Sequence, residues 1–282
     1  MTTTGADGRL SDDGSPADAS ARPDARAAAA GAAVARGGSA NLVGALVYGA
    51  SNFLLLIVLN RGLGIARAGV VVVAIAVFNV AAVVCALGAS TGLVRTISRL
   101  RATDEPERVP ATLRAALTPV AVTSVVTAVV LWVLATALTD LIAHGQRTAE
   151  AASTLRWMAP FLPFAALHFV VIQGTRGFDT MKPLVAIERI GRAMALPLVV
   201  GIVALAGGGP RPVGAAWAAT NVVGLALSGL TMHRRTRALV AASGRPAARL
   251  DRATRREFWA FTAPRAVGQT SEVAINWFDT IL

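Results

Sequence analysis

Cysteine is almost missing from this chain: Cys85 is the only one in 282 residues. That excludes a disulfide framework and any Cys-based metal site. Lysine is as rare, with Lys182 alone against 26 arginines. The three histidines, His144, His168 and His233, have no partner at ligand spacing. Charged residues make up only 15%, where soluble domains carry about 25%. No stretch alternates with a period of two over the length a barrel strand needs, so a barrel is excluded. There is also no P-loop, no Gly-rich dinucleotide turn and no nucleophile elbow. Asp104, Glu105 and Glu107 form an acidic cluster, but they sit beside Pro106 and Pro110 in a charged join and read as a solvated loop. The chain is therefore expected to have no catalytic residues, no metal and no cofactor, and not to be an enzyme.

What the chain does have is apolar sequence. Hydrophobic residues reach 54%, and the mean hydropathy is +0.58. Residues 1–39 are rich in Ala, Gly, Asp and Ser and hold no aromatic residue, so they are expected to be a disordered tail. Seven apolar runs follow, at about 41–59, 69–87, 115–138, 157–172, 184–206, 213–231 and 258–282. Most are near the roughly 20 residues that cross a bilayer as a helix. Pro160 and Pro163 predict a bend in the fourth run. Gly207–Pro212 predicts a tight connection between the fifth and sixth. The fold class is thus all-α, a polytopic membrane helix bundle. Its expected organisation is the tail, a six-helix bundle at 40–231, a basic loop at 232–257 and a seventh helix at 258–282.

The formal net charge is +11, yet no nucleic-acid partner is expected, because the arginines lie in the joins between runs. With the N-terminus in the cytoplasm, nineteen basic residues fall on the cytoplasmic side and five on the other. That asymmetry is the positive-inside pattern. Trp132, Trp157, Trp217 and Trp259 lie in or near span ends, where indoles favour the headgroup layer. Gly44, Gly49, Gly88, Gly92, Gly224 and Gly229 allow helices to approach closely.

The polar residues inside the runs carry the functional reading. In the last run Arg265, Gln269, Glu272, Asn276 and Asp279 are spaced four, three, four and three apart, so they share one helical face. A charge at the centre of a membrane helix costs roughly 2.5–3.5 kcal/mol, so this stripe should face a bundle or a hydrated cavity. Asn41, Tyr48 and Asn52 share a face of the first run, and Asn221 and Ser228 share one of the sixth, as helix ties or as the wall of a hydrated path. Glu188 and Arg192 can pair along the fifth run, behind Lys182 and Pro183. They read as a self-neutralised anchor or as a headgroup-binding element. Arg95, Arg99 and Arg101 follow the second run, as snorkelling cations or as an attractor for a pyrophosphate. His168 stands alone in the fourth run and reads as packed or helix-bonded.

Four segments resemble a known family: NLVGALVYGASNFLLLIVLNRGLGIARAGV from residue 41, LGASTGLVRTISRLRA from 87, QGTRGFDTMKPLVAIERIGRAMALPL from 173, and FWAFTAPRAVGQTSEVAINWFDTIL from 258. Their order and spacing resemble the polysaccharide-transporter branch, the Wzx-like oligosaccharide flippases, of the multidrug/oligosaccharidyl-lipid/polysaccharide exporter superfamily. The resemblance implies two six-helix bundles about a central cavity and alternating access to the two leaflets. On it, the chain is expected to be the N-terminal half, with its C-terminal half missing. The expected substrate is an anionic glycolipid, a polyprenyl-pyrophosphate-linked saccharide, in a bacterial cytoplasmic membrane. Candidate substrate-binding residues are Arg265, Gln269, Asn276 and Arg95; candidates for ion or proton coupling are Glu272 and Asp279. The competing readings are a multidrug exporter of the same superfamily and a membrane-embedded glycosyl- or phosphotransferase.

Overall fold

The computed structural model describes residues 42–142, 148–249 and 251–265. The chain divides into two units, residues 1–42 and 43–282, and the contacts below all lie within the second. The described residues contain helices and turns and no strand. The helices are α1 (Leu42–Leu63), α2 (Ile65–Cys85), α3 (Ala89–Ala102), α4 (Val109–Ile142), α5 (Thr148–Met158) and α6 (Leu162–Gly174). A π-helical segment (Leu184–Arg192), α7 (Ala193–Leu205) and α8 (Pro210–Ser243) come next. Helix α9 starts at 252 and is described to 265. Among the described residues, five stretches are long and apolar enough to cross a membrane: Leu42–Leu63, Ile65–Cys85, Pro106–Leu141, Thr148–Phe178 and Pro210–Ser243. Helices satisfy their own backbone groups, which is what lets such sequences sit in hydrocarbon.

The bundle is apolar on both sides. Its core holds Phe78, Leu93, Leu155, Met158 and Leu162, all fully buried. Its outer surface exposes Phe53, Val122, Val125, Val129, Leu198 and Ile202. In water that surface would be costly, but in lipid it is the ordinary exterior. Trp132 and Trp157 are on this exterior. Trp217 is not. It is buried and meets the Phe78 ring edge-on, 5.9 Å between centroids. Its place near a run end could not distinguish a headgroup anchor from a core residue. Trp259 also turns inward, donating its indole N–H to the Ala115 carbonyl at 3.0 Å.

Three local features depart from a plain series of spans. First, the join after α2 is itself helical. Leu87 and Gly88 take positive φ (50° and 72°), which turns the chain so that α3 packs on α4 and α6. Second, the fifth run is not one α-helix but a nine-residue π segment leading into α7. Third, α8 is 34 residues long, about 50 Å at 1.5 Å per residue. It therefore outruns a hydrocarbon core of about 30 Å. Its far end carries Arg234, Arg235 and Arg237, and between it and α9 the described residues 244–249 and 251 are non-helical. The two proline features behave as their chemistry requires. A 3₁₀ turn at Ala159–Phe161 separates α5 from α6, and Gly207 (φ 80°) leads into Pro210 at the first turn of α8.

Helix α9 is tied to the Arg-rich end of the bundle. Asp251 starts it by accepting from the Thr254 amide at 2.7 Å. Bonds from the Thr254 hydroxyl and amide hold the Asp251 carboxyl below its ordinary range. In the preceding connection, Arg245 pairs with Asp104 (3.1 Å) and Glu107 (3.5 Å), so two members of the acidic cluster hold the chain at Arg245. Helix α3 admits α9 through Gly92, where an added Cβ would lie 2.2 Å from Thr262 Oγ1 and 3.0 Å from Phe258 Cζ. Gly92→Leu is expected to undock α9. Overpacking of this kind costs roughly 1–3 kcal/mol, about a five- to hundredfold rise in the undocked population. Faster tryptic cleavage at Arg249 would report it, and an unchanged cleavage rate would show that Gly92 does not control the dock.

Candidate functional site

The π segment supplies the site. Bonds of the i→i+5 kind widen a turn, and such segments concentrate at functional positions. Pro183 precedes this one, and Pro197 in α7 has no N–H to donate to the preceding turn. Residues four apart remain neighbours, so Arg192 Nη1 donates to Glu188 Oε1 at 2.9 Å. The expected Glu188–Arg192 pair is present, but it does not neutralise itself in isolation. The second carboxylate oxygen, Oε2, lies 2.8 Å from His168 Nε2 on α6. His168 Nδ1 lies 3.1 Å from Ser228 Oγ on α8. A chain of four polar side chains thus links α8, α6 and the π segment inside the bundle.

Burial makes this network consequential. The His168 side chain is 3% exposed and Arg192 12%. Unpaired charges at such depth would be costly, so each must be held by its neighbours. The contacts fit two proton arrangements. With a neutral ring, Nε2–H donates to Glu188 and Nδ1 accepts from Ser228. If the Ser228 hydroxyl turns to the Leu225 carbonyl, 3.3 Å away, Ser228 can instead accept from a protonated Nδ1. Gly224 makes room for the ring, since a Cβ there would be 2.8 Å from His168 Nε2.

The network opens on a cavity of about 460 Å³, inside the range of small-molecule sites. Tyr48, Asn52 and Asn79 give its polar wall, Phe169 and Trp217 its aromatic wall, and Glu188 and Arg192 its charges. The Arg192 guanidinium lies 5.4 Å from the centre of the Trp217 ring. Its Nε is buried and has no hydrogen-bond partner among the described residues. One buried donor of a cavity-lining residue is therefore unanswered.

Residues 42–200 match the MatE family model. The chain belongs to the MatE family. It is accordingly a multi-pass membrane transporter of the multidrug/oligosaccharidyl-lipid/polysaccharide exporter superfamily. No curated protein and no solved structure matches it. The MatE match runs from α1 into α7 and includes Tyr48, Asn52, Asn79, His168, Glu188 and Arg192. It does not separate polysaccharide flippases from drug exporters.

Two of the sequence-predicted site residues, Arg265 and Arg95, lie within the described residues of this MatE chain. Gln269, Glu272, Asn276 and Asp279 lie outside the described residues. Arg265 and Arg95 are brought together, but at the α3–α9 dock rather than at the cavity. Both guanidinium groups lie over the Phe261 ring, at 3.7 and 3.6 Å from its centre. His168 is not merely packed, and Ser228 ties α8 to it as a polar residue in a span can. Asn221 instead bonds within its own helix, to the Ala218 carbonyl. Asn79 and Trp217 were missed as cavity residues. A polar residue inside an otherwise apolar run was the available signal for Asn79.

Proposed function

We propose that this MatE protein moves a lipid-linked oligosaccharide or polysaccharide precursor across the cytoplasmic membrane by alternating access. The observation that carries the reading is Arg192, a cation at the cavity wall whose Nε has no acceptor among the described residues. A phosphate oxygen of a polyprenyl-pyrophosphate carrier supplies one, and the aromatic and apolar wall suits the lipid and sugar faces. In this reading residues 43–231 form one bundle, α9 begins a second, and Arg265, Gln269, Glu272, Asn276 and Asp279 face the space between them. The Arg-rich end then faces the cytoplasm, following the nineteen-to-five asymmetry of basic residues.

One observation favours a second reading. Glu188 and Trp217 also line the cavity, and a carboxylate with an indole face suits a cationic drug. Arg192→Gln, in the protein expressed from its complete gene, separates the two. Flipping of a fluorescent polyprenyl-pyrophosphate saccharide in proteoliposomes is expected to fall at least about tenfold, the effect of losing one charged hydrogen bond. Efflux of a cationic dye would be unaffected. Loss of dye efflux with no wild-type saccharide flipping would establish the drug reading instead.

A further inference from the structure

The α3–α9 dock contains a second cluster of charges that the cavity does not use. Arg95 and Arg99 come from α3, Arg108 from the turn before α4, and Glu257 from α9. They enclose a space of about 40 Å³ together with the threonines Thr112 and Thr254. A water needs roughly 10–15 Å³ of such space, so there is room for a few waters and no larger group.

The charges in this space are unevenly matched. Glu257 is the carboxylate that reaches into it, with Oε1 2.6 Å from Arg99 Nη2 and Oε2 3.8 Å from Arg108 Nη2. Glu105 takes the other terminal nitrogen of Arg108, at 2.7 Å. Arg95 meets no carboxylate among the described residues and lies over Phe261. Arg265 lies over the same ring, and two guanidinium groups this close to its centre must take opposite faces. Two cations therefore flank one ring with no anion between them, beside a pair of arginines that share one carboxylate.

We propose that this cluster is a binding site for the phosphate of an anionic phospholipid headgroup, and that Glu257 is its tethered stand-in. A phosphate offers several acceptor oxygens where the carboxylate has two, and it can bridge arginines in bidentate fashion. A phosphate enters only when the Glu257 carboxylate leaves, since the present space of about 40 Å³ holds no more than a few waters. Glu257 can leave readily, because it is 49% and Arg99 44% exposed, and an ion pair that open to solvent is weak. A headgroup is the fitting source: the Arg-rich end of a membrane bundle lies at the height where anionic lipids concentrate next to basic residues. Occupancy removes one of the contacts holding α9 to α3, so lipid composition biases the docked position of α9. This holds whichever substrate the cavity takes.

The test is lipid binding by the purified full chain in neutral detergent, read by native mass spectrometry with phosphatidylglycerol or phosphatidylcholine. Wild type is expected to retain phosphatidylglycerol selectively. Glu257→Gln removes a tethered competitor and should raise that binding about tenfold, as expected for loss of a millimolar effective concentration. Glu257→Asp should behave as wild type, and Arg99→Gln with Arg108→Gln should abolish the selectivity. Glu257→Gln binding no more phosphatidylglycerol than wild type overturns the proposal. So does inorganic phosphate competing as well as the lipid, which would make the ligand a free anion. A measurement on wild type alone stands if the variants misfold. Phosphatidylglycerol vesicles should speed tryptic cleavage at Arg249, phosphatidylcholine vesicles should not, and equal rates in both overturn the proposal.

Discussion

Glu188→Ala should both destabilise the bundle and stop transport. The substitution leaves Arg192 without its carboxylate at 2.9 Å and His168 without its acceptor at 2.8 Å. Breaking a buried pair by removing one partner costs about 3–5 kcal/mol. The lower end applies here, since the cavity admits water on one side of Glu188. At about 2–4 °C per kcal/mol for a chain of this size, the melting temperature should fall on the order of 5–10 °C. Replacing both partners, as Glu188→Leu with Arg192→Met, should recover the part of that loss that comes from the unpaired Arg192, because a buried pair exchanged for apolar groups is often neutral, while His168 stays without its acceptor. Transport should not recover. A double variant as unstable as Glu188→Ala would show that the pair is not the source of the cost. A double variant that transports would show that the network is scaffolding only.

Gly224→Val should have the next largest effect, and by a different route. An added Cβ would lie 2.8, 3.0 and 3.1 Å from three atoms of the His168 ring. A planar ring held at both nitrogens cannot yield by a few tenths of an ångström, and valine adds two further atoms. The ring must leave the Ser228–Glu188 bridge or α8 must move off α6. Either should cost about 1–3 kcal/mol of packing, plus about 1 kcal/mol for each hydrogen bond lost. Gly224→Ala should fall between wild type and valine. Pairing it with His168→Ala should restore packing without the bridge, which thermal melting and transport assays would register separately. If Gly224→Val melts as wild type does, the close contact of α6 and α8 is not tight in the working protein.

These two predictions rest on different residues but on one physical fact. The transporter holds a compact polar network in a bundle whose core and surface are largely apolar. Ser228 reaches His168 because Gly224 lets α8 approach α6, and Arg192 is held at the cavity wall because Glu188 is shared between it and His168. The α3–α9 dock repeats the pattern at the bundle end. Gly92 allows the approach, and one carboxylate, Glu257, is divided between two arginines.

Composition and hydropathy alone determined the all-α membrane class, because the solvent around each run selects helices directly. Apolar runs long enough to span lipid needed no partner to be recognised. Pro160, Pro163 and the Gly207–Pro212 connection were legible for a similar reason: backbone restrictions act locally. The Glu188–Arg192 pair was legible from spacing. The π segment was not, because a change from i→i+4 to i→i+5 bonding leaves the order of residues untouched. Nor was the direction of Trp217, whose indole is equally at home against Phe78 or a headgroup. Only the tertiary structure could decide that His168 meets Ser228, sixty positions away, and Glu188, twenty positions away. Only it could bring Arg95 and Arg265 to one phenylalanine. Hydropathy is a property each segment carries by itself, whereas a polar site is a property of the contacts that packing creates.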